Sequence, residues 1–451
     1  MGKIVYSALT IAGLDSCGGA GVTTDLKTFS LFRVHGACVV TALTAQNTKG
    51  VKAVLPVDPE FVKKQFKTVL DDMEIYAAKT GILPTKEIVD VVVSFVKDYG
   101  LNLVVDPVFR SATGKKFVSN SVIEAYIRKL LPLASIVTPN IYEAKILSGV
   151  KIRNVDDMVK AAEKIFGFGA SSVVVKGGHL KGKNVTDLFY DKGKSVFYTK
   201  PRKRSILHGG GCFFSAALTA CLTNQMDAFE AVETVESLIQ EVFGFGLKIG
   251  RGLDVIIPLI PLYNKAEMYK VAEKVEKALN IFLENKLLHK FVAEVGTQIA
   301  EALPFPSKIY HVAAVDGRIR IVNGKIKFGK VRFGGSSHMA RLILACNKFN
   351  PEVRAAINLH YDKKLLEAFK KEGFLVSGFD RRLEPKRFKL VEGKTLEWGV
   401  NQAIRKAKKF PDVIYDLGEP GKEPMIRVVG KDAVEVVRKV CSVLKHLKPT
   451  S

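Results

Sequence analysis

Nowhere in this chain do two cysteines stand three residues apart. The six cysteines, Cys17, Cys38, Cys212, Cys221, Cys346 and Cys441, are scattered singly. That excludes a zinc knuckle and a disulfide framework, and it points to a reducing, cytoplasmic setting. Long apolar runs are also missing. The longest near the middle, DVIIPLIPL, is broken by two prolines and falls well short of the roughly 20 residues a bilayer demands. The opening MGKIVYSALTIAG passes directly into charged sequence and reads as a first strand, not a signal peptide. Acidic residues are scarce: 45 Asp and Glu face 69 Lys and Arg, a net charge of +24. Such an excess either keeps a surface soluble or attracts anions, whether nucleic acid, membrane or phosphorylated small molecules. No basic block forms a tail, and aromatics do not interleave with basic residues. Small phosphorylated molecules are the partners expected, with no nucleic acid and no membrane, once the family resemblance given below is added to this charge. Repeats and low-complexity segments are absent as well.

What is present is a chain of 451 residues, 47% hydrophobic, enough for two packed domains. In the first half, short β-branched runs such as LNLVVDPV, ASIVTPN and SSVVVKGG alternate with stretches of helical period such as TKEIVDVVVSFVKDYG. Apolar runs without polar alternation predict strands covered on both faces, hence a doubly wound, mainly parallel α/β sheet. Ligands of such sheets sit beyond the carboxyl ends of the strands. The texture changes between Asp254 and Asn264, which sets domains of 1–258 and 266–451. Residues Ala266–Leu303 read as two amphipathic helices, with Met268, Val271, Val275 and Leu279 on one stripe. Beyond them the pattern returns to mixed strands and helices.

Residues with chemistry cluster at the predicted strand ends. Thr10–Phe29, TIAGLDSCGGAGVTTDLKTF, reads as strand, glycine-rich turn and a helix opening on Gly21. Gln46 and Asn47 end a second strand, and a carboxamide there offers a donor and an acceptor to a heterocycle edge. Asp106, then Asn140 with Glu143, then Lys176 close three more; acids suit Mg²⁺ and a lysine suits phosphate oxygens. Each has a plain alternative, such as a helix cap for an Asp at a strand end and a solvated surface charge for Lys176. HGGGCFFSAAL (His208–Leu218) is likewise either a glycine turn before a buried cysteine or an anion cradle whose Cys212 faces a reacting group.

Taken in order, AGLDSCGGAGVTTDLKTF, TALTAQNT, VVDPV, TPNIYEA, KGGH and HGGGC resemble the hydroxymethylpyrimidine/phosphomethylpyrimidine kinases of thiamine biosynthesis, within the ribokinase-like superfamily. The resemblance covers roughly the first 255 residues. It implies a kinase using ATP and Mg²⁺, with Gly209, Gly210, Gly211 and Lys176 at the phosphates and Asp106 and Glu143 at the metal. Gly13, Asp25, Gln46 and Val108 would hold the pyrimidine, and Cys212 would be the base on its alcohol. A helix N-terminus predicts a depressed thiol pKa for that role. The chain departs from the family at Ser16 and Cys17, where Pro-Ser is usual, and at Gly210 and Phe213, where threonines are usual.

In the second half, VDGRIRIV sets Arg318 and Arg320 in a turn leading to a strand, and RFGGSSHMAR puts Ser336, Ser337 and His338 at a helix start. Those groups either hold a diphosphate or merely cap the helix. GFDRRLEPKR and YDLGEPGKEPMIRV add Asp380, Arg381, Glu384, Asp416, Lys422 and Glu423, which either line a polar site or sit in solvated loops. FGGSSHMARLILA, VRAAINLHYD, LEWGVNQAI and PDVIYDLGEPGKEPMIRVVG resemble the ThiN-type thiamine-phosphate synthase domain. That resemblance implies a three-layer α/β fold related to class II aldolases. It also implies coupling of hydroxymethylpyrimidine diphosphate to a thiazole phosphate, with Arg318 (or the nearby Arg320) and His338 as the key pair. The whole is expected as a cytoplasmic homodimer. Two rivals stand beside this reading: a pyridoxal-type kinase, and a regulator whose second domain only senses thiamine phosphate. Such regulators carry an N-terminal helix-turn-helix, and none is visible here.

Overall fold

The β-branched runs of the first half lie side by side in a single nine-stranded sheet. A computed structural model describes residues 6–202, 207–385, 388 and 394–447. They form two units, Met1–Pro261 and Leu262–Ser451. The first unit contains β1 (Ser7–Asp15), α1 (Gly21–Leu31), β2 (His35–Asn47), β3 (Gly50–Pro56), α2 (Pro59–Leu70), β4 (Ala77–Thr80), α3 (Lys86–Tyr99) and β5 (Asn102–Val105). It continues with α4 (Asn120–Ala125), β6 (Ala134–Val137), α5 (Ile141–Ser148), α6 (Val155–Phe166), β7 (Val173–Val175), β8 (Asn184–Asp191) and β9 (Lys194–Pro201). After α7 (Gly210–Thr223) and α8 (Ala228–Val242) comes a small ladder of β10 (Gly246–Leu247) and β11 (Val255–Ile256).

The sheet order is β3-β2-β1-β4-β5-β6-β7-β8-β9. The six strands from β2 to β7 are parallel, and the outer β3, β8 and β9 are antiparallel. Successive residues of one strand feed opposite cores, which is why these runs carry no polar alternation. Val173 and Val175 pack with helices α3 to α6, while Val174 packs with α7 and α8. The mainly parallel, doubly wound sheet is thus as expected.

In the second unit, α9 (Ile260–Glu284) leads to β12 (Gln298–Ala302), β13 (Val312–Val315), the hairpin β14 (Arg320–Val322) and β15 (Lys325–Lys327), and β16 (Val331–Phe333). Then follow α10 (Ser337–Asn347), β17 (Ala355–His360), α11 (Lys363–Lys371), β18 (Val376–Phe379), α12 (Lys394–Ala407), β19 (Val413–Asp416), β20 (Met425–Gly430) and α13 (Ala433–Val443). Seven strands, in the order β16-β13-β12-β17-β20-β19-β18, make a sheet that is antiparallel except between β18 and β19. Helices α9, α11 and α13 cover one face, and α10 and α12 the other, giving three layers.

One expectation is corrected here. Ala266–Leu303 is not two helices: one helix ends at Glu284, a short 3-10 turn spans Leu288–Phe291, and Gln298–Ala302 is a strand. Polar residues disguise that strand. Gln298 and Glu301 are buried, Gln298 N–H donating to Asn358 Oδ1 at 2.8 Å and Glu301 accepting from Ala433 N–H at 2.8 Å. Met268 is exposed and lies off the buried stripe of Val271, Val275, Leu279 and Phe282. No helix among the described residues is long and apolar enough to cross a membrane.

Candidate active sites

In the first unit, the parallel strands deliver their last residues to one edge of the sheet. Asp15, the final residue of β1, organises the glycine-rich turn. Its carboxylate accepts from the backbone N–H of Cys17 (2.8 Å), Gly19 (3.1 Å) and Ala20 (2.9 Å), and it lies 2.8 Å from His208 Nε2. Gly13 sits at the bulge where β1 slips against β2. At the other side of the edge, Gly209 precedes α7 with φ of 90°, and a side chain there would start 1.9 Å from the Gly19 carbonyl. Only glycine fits so close an approach. Gly210 leaves room for the Phe243 ring, which a Cβ would meet at 2.9 Å. Gly211 opens towards Lys176, whose Nζ lies 3.5 Å from where its Cβ would be.

Lys176 is no solvated charge. Its side chain is largely enclosed, and the ammonium lies 3.0 Å from Asp106 Oδ1. Asp106, directly after β5, also accepts from Thr138 (3.2 Å) and Ser215 (3.1 Å). Asn140 and Glu143 form a capping box at the start of α5. Glu143 also lies close enough to Asp106 and Lys176 to feel their charges. Burial pushes its carboxyl up to about 8 and the Asp106 charge adds to this, with Lys176 opposing. Val108 lies half-buried in the loop after β5, and Asn47 accepts from Lys49 N–H in the β2–β3 turn.

Asp25 is wholly buried on α1, bonded to Thr10 Oγ1 at 2.6 Å and to the Lys79 ammonium at 2.8 Å; its Oδ1 has no hydrogen-bond partner among the described residues. Lys79, in the middle of β4, belongs to no motif that sequence reasoning singles out. The one signal for it is a lone lysine inside the apolar run AAKTGIL. Gln46 Nε2 lies 2.9 Å from His208 Nε2, while Thr44 Oγ1 lies 3.4 Å from Gln46 Oε1. His208 Nε2 also contacts Asp15, so Asp15, His208 and Gln46 form one polar group beside the glycine-rich turn.

The depressed thiol pKa expected for Cys212 is not found. The residue stands in the first turn of α7 and its Sγ accepts from Gly21 N–H at 3.4 Å. Burial nevertheless pushes the thiol up to about 12, helped by the Asp25 and Asp106 charges and only partly opposed by Lys79. Desolvation of an anion beside two carboxylates outweighs one helix N-terminus and one ammonium. In the free protein Cys212 is a thiol.

In the second unit a cavity of about 330 Å³ is lined by Arg318, Ser336, His338, Arg381, Lys422 and Arg427, among others. Arg318 stands in the left-handed region, φ 69°, after Gly317, and donates to the Val295 carbonyl. Glu423 holds the same loop by accepting from Glu294 and Val295 N–H, each at 3.0 Å. Ser336 is the cap of α10, accepting from Met339 N–H at 3.3 Å, and also lines the cavity. Ser337 is exposed on the first turn and Arg320 is exposed on β14; neither lines the cavity. Asp380 pairs with Arg382 at 2.7 Å outside it, and Glu384 is buried away from it. His338 is half-buried and faces three guanidiniums. Burial, then Arg427, Arg381 and Arg318, push its pKa down to about 4. Arg427, wholly buried in β20, also lines the cavity, and no motif in the sequence singles it out.

Residues 15–256 match the family model of phosphomethylpyrimidine kinase, and residues 274–442 match that of the thiamine-phosphate synthase ThiN. Over 437 residues the chain is 36% identical to the bifunctional thiamine biosynthesis protein ThiDN of Methanocaldococcus jannaschii, covering 96% of this chain and 97% of that one. It is 38% identical to the hydroxymethylpyrimidine/phosphomethylpyrimidine kinase of Aquifex aeolicus over 55% of this chain and 98% of that one. Among solved structures, an ADP complex of Bacillus subtilis pyridoxal kinase superposes with a TM-score of 0.54 at 33% identity, covering 57% of this chain and 99% of that one.

Proposed function

From the premise that this chain belongs to the phosphomethylpyrimidine kinase family and carries a ThiN thiamine-phosphate synthase domain behind it, we propose how two sites divide one synthesis. It is a homologue of the bifunctional thiamine biosynthesis proteins, with kinase and synthase activities. In our reading residues 1–258 phosphorylate the pyrimidine alcohol, and then its monophosphate, with ATP. Residues 266–451 join the diphosphate to the thiazole phosphate and release pyrophosphate. The reading places both steps in the cytoplasm, in keeping with six free cysteines.

The observation that carries the kinase half is the meeting of cradle, cation and thiol at the first turn of α7. Phosphoryl transfer asks chiefly for positioning and charge neutralisation. Backbone N–H groups of Gly209 to Gly211 and the Lys176 ammonium supply both around the transferred group. Asp106 and Glu143 are hard oxygen donors brought together beside the Lys176 ammonium. This suits Mg²⁺, which takes one or two carboxylates and completes its shell with phosphate oxygens and water. When bound there, the ion would neutralise phosphate charge. Gln46, beside His208, reads the aminopyrimidine edge. In a loose transition state the alcohol proton need not leave before the new P–O bond forms. A protonated Cys212 therefore serves to orient the hydroxyl, not to act as a standing base.

In the synthase half, the thiazole nitrogen attacks the pyrimidine methylene carbon while the C–O bond to the diphosphate breaks. Negative charge grows on the departing oxygens, where Arg318 and the neutral imidazole of His338 stabilise it. Mass spectrometry of products from pyrimidine alcohol, ATP, Mg²⁺ and thiazole phosphate tests the whole scheme; absence of thiamine phosphate defeats it. The likeness to a pyridoxal kinase favours a second substrate for the first site, so the same assay should include pyridoxal in competition.

A further inference from the structure

Arg427 presents a problem of charge. Its side chain is fully buried, and only Nη1 is engaged, donating to Asp416 Oδ2 at 2.6 Å. Nε and Nη2, which form the other edge of the fork, have no hydrogen-bond partner among the described residues. The same carboxylate already accepts two bonds from buried Arg381, at 2.7 Å from Nε and 3.3 Å from Nη2. One acid thus serves two buried guanidiniums. The Nε2 atom of His338, beside them, is also buried and unpartnered among the described residues. A buried cation with idle donors is costly unless something completes it. Here all three groups line the same cavity.

We propose that Arg427 and Arg381, fixed by Asp416, form the seat of a diphosphate: that of the pyrimidine before reaction, and pyrophosphate after it. This rests on the synthase reading of the cavity. The free Nε/Nη2 edge of Arg427 matches two oxygens of one phosphoryl group. His338 Nε2 and the exposed Arg318 and Lys422 nearer the mouth can reach the other group. The buried cations make the floor and the exposed ones the rim, so the leaving group lies beneath the reacting carbon, away from water. Asp416 touches no substrate in this arrangement; it is a positioning residue that prevents the two like charges from swinging apart.

The chain supplies its own probe. Trp398, the single tryptophan, packs edge-on against Phe379 at 5.9 Å, and the Arg381 guanidinium lies 5.8 Å over the same Phe379 ring. Titration of the full chain with sodium pyrophosphate should give a saturable change in tryptophan fluorescence. Inorganic phosphate should bind at least about 10-fold more weakly, lacking the second group. Arg427→Met should weaken pyrophosphate binding by about 100-fold through loss of two charge-assisted hydrogen bonds. Its thermal transition without ligand should not fall, because an apolar side chain replaces an under-compensated charge. Arg427→Lys, which keeps the charge but loses the fork, should fall between; it and Arg381→Met carry the test if the methionine variant does not fold. Unchanged pyrophosphate affinity in these variants, or no saturable signal in the parent, overturns the seat. Pyrophosphate binding through Arg427 in a chain that makes no thiamine phosphate would defeat the synthase reading and leave the seat standing. Thiamine phosphate made at the parent rate by Arg427→Met would do the reverse.

Discussion

His338 should remain an uncharged imidazole in the ligand-free protein down to about pH 4. The ordinary value is about 6.5, so the cavity opposes its protonation by roughly 3 kcal/mol. Burial is the largest cause and the guanidiniums of Arg427, Arg381 and Arg318 follow, with Asp416 pulling the other way. The sign follows from proton counting. Between about pH 6.5 and 4 the unfolded chain takes a proton that the folded one refuses, so stability is lost as pH falls through this window. Above it there is no penalty. Two perturbations should raise the pKa towards 6.5: Arg427→Met, which removes the cation acting most strongly on the ring, and pyrophosphate, whose charge favours imidazolium. Pyrophosphate binding should consequently take up a proton between pH 5 and 6.5, on the order of a fraction of one per site. The assay is an NMR titration of ¹³C-labelled histidine rings in the full chain, with His338 assigned among the eight histidines by its loss in His338→Gln. A His338 signal titrating near 6.5 without ligand, and unmoved by Arg427→Met, would refute the account of the cavity as a buried cationic site.

Three further outcomes follow from the geometry. Cys212→Ala should lower kinase turnover by only about 10- to 100-fold, since an orienting group and not a base is lost, and the pH–rate profile should show no thiol ionisation between 7 and 9; a steep loss with such an ionisation would restore the base. Gln46→Leu should raise KM for the pyrimidine alcohol by about 10- to 100-fold while leaving KM for ATP unchanged, because the heterocycle edge loses its partner; equal effects on both substrates would make Gln46 structural. Arg318→Ala should depress synthase turnover by about 2–4 kcal/mol in barrier height, and Arg320→Ala, outside the cavity, should not, as measured by pyrophosphate release.

Loops are the legible part of both sites. Glycines, caps and clustered polar residues announce a turn that meets a ligand, and the strand ends carrying Gln46, Asp106, Glu143 and Lys176 stand out by that logic. So does the parallel sheet, because a strand with no polar alternation must be covered on both faces. Lys79 and Arg427 do not stand out, and for a shared reason. Each is a single cation inside a strand of otherwise buried residues, AAKT and MIRVVG, where local pattern reports burial and says nothing of charge. Gln298 and Glu301 mislead in the same manner: their polarity suggests the outside of a helix, whereas distant partners satisfy them inside the sheet. The protonation of Cys212 is also beyond local reasoning. Its helix position is visible, but the carboxylates of Asp25 and Asp106 come from two other elements.

The departures from the family pattern have structural counterparts that argue against a damaged kinase. The glycine-rich turn is held by Asp15 through backbone N–H groups of Cys17, Gly19 and Ala20, so the side chains at positions 16 and 17 are not what closes it. Ser16 makes a contact that proline at this position has no hydroxyl to make: its Oγ donates to the Gln46 carbonyl at 2.9 Å and accepts from Gln46 N–H at 3.0 Å. The turn is thereby tied to the residue that we propose reads the pyrimidine. Gly210 and Phe213 are linked through a third residue. Phe243 occupies the space that a side chain at 210 would need, and its ring meets that of the wholly buried Phe213 at 6.0 Å in an edge-on pair. Two lost hydroxyls are exchanged for aromatic packing behind the first turn of α7, worth about 0.5–1.5 kcal/mol beyond the buried area. The N–H groups of that turn and the Lys176 ammonium, which we propose form the cradle, are not removed by the exchange. A side chain introduced at 210 would meet the Phe243 ring at 2.9 Å, so Gly210→Thr requires that ring to move.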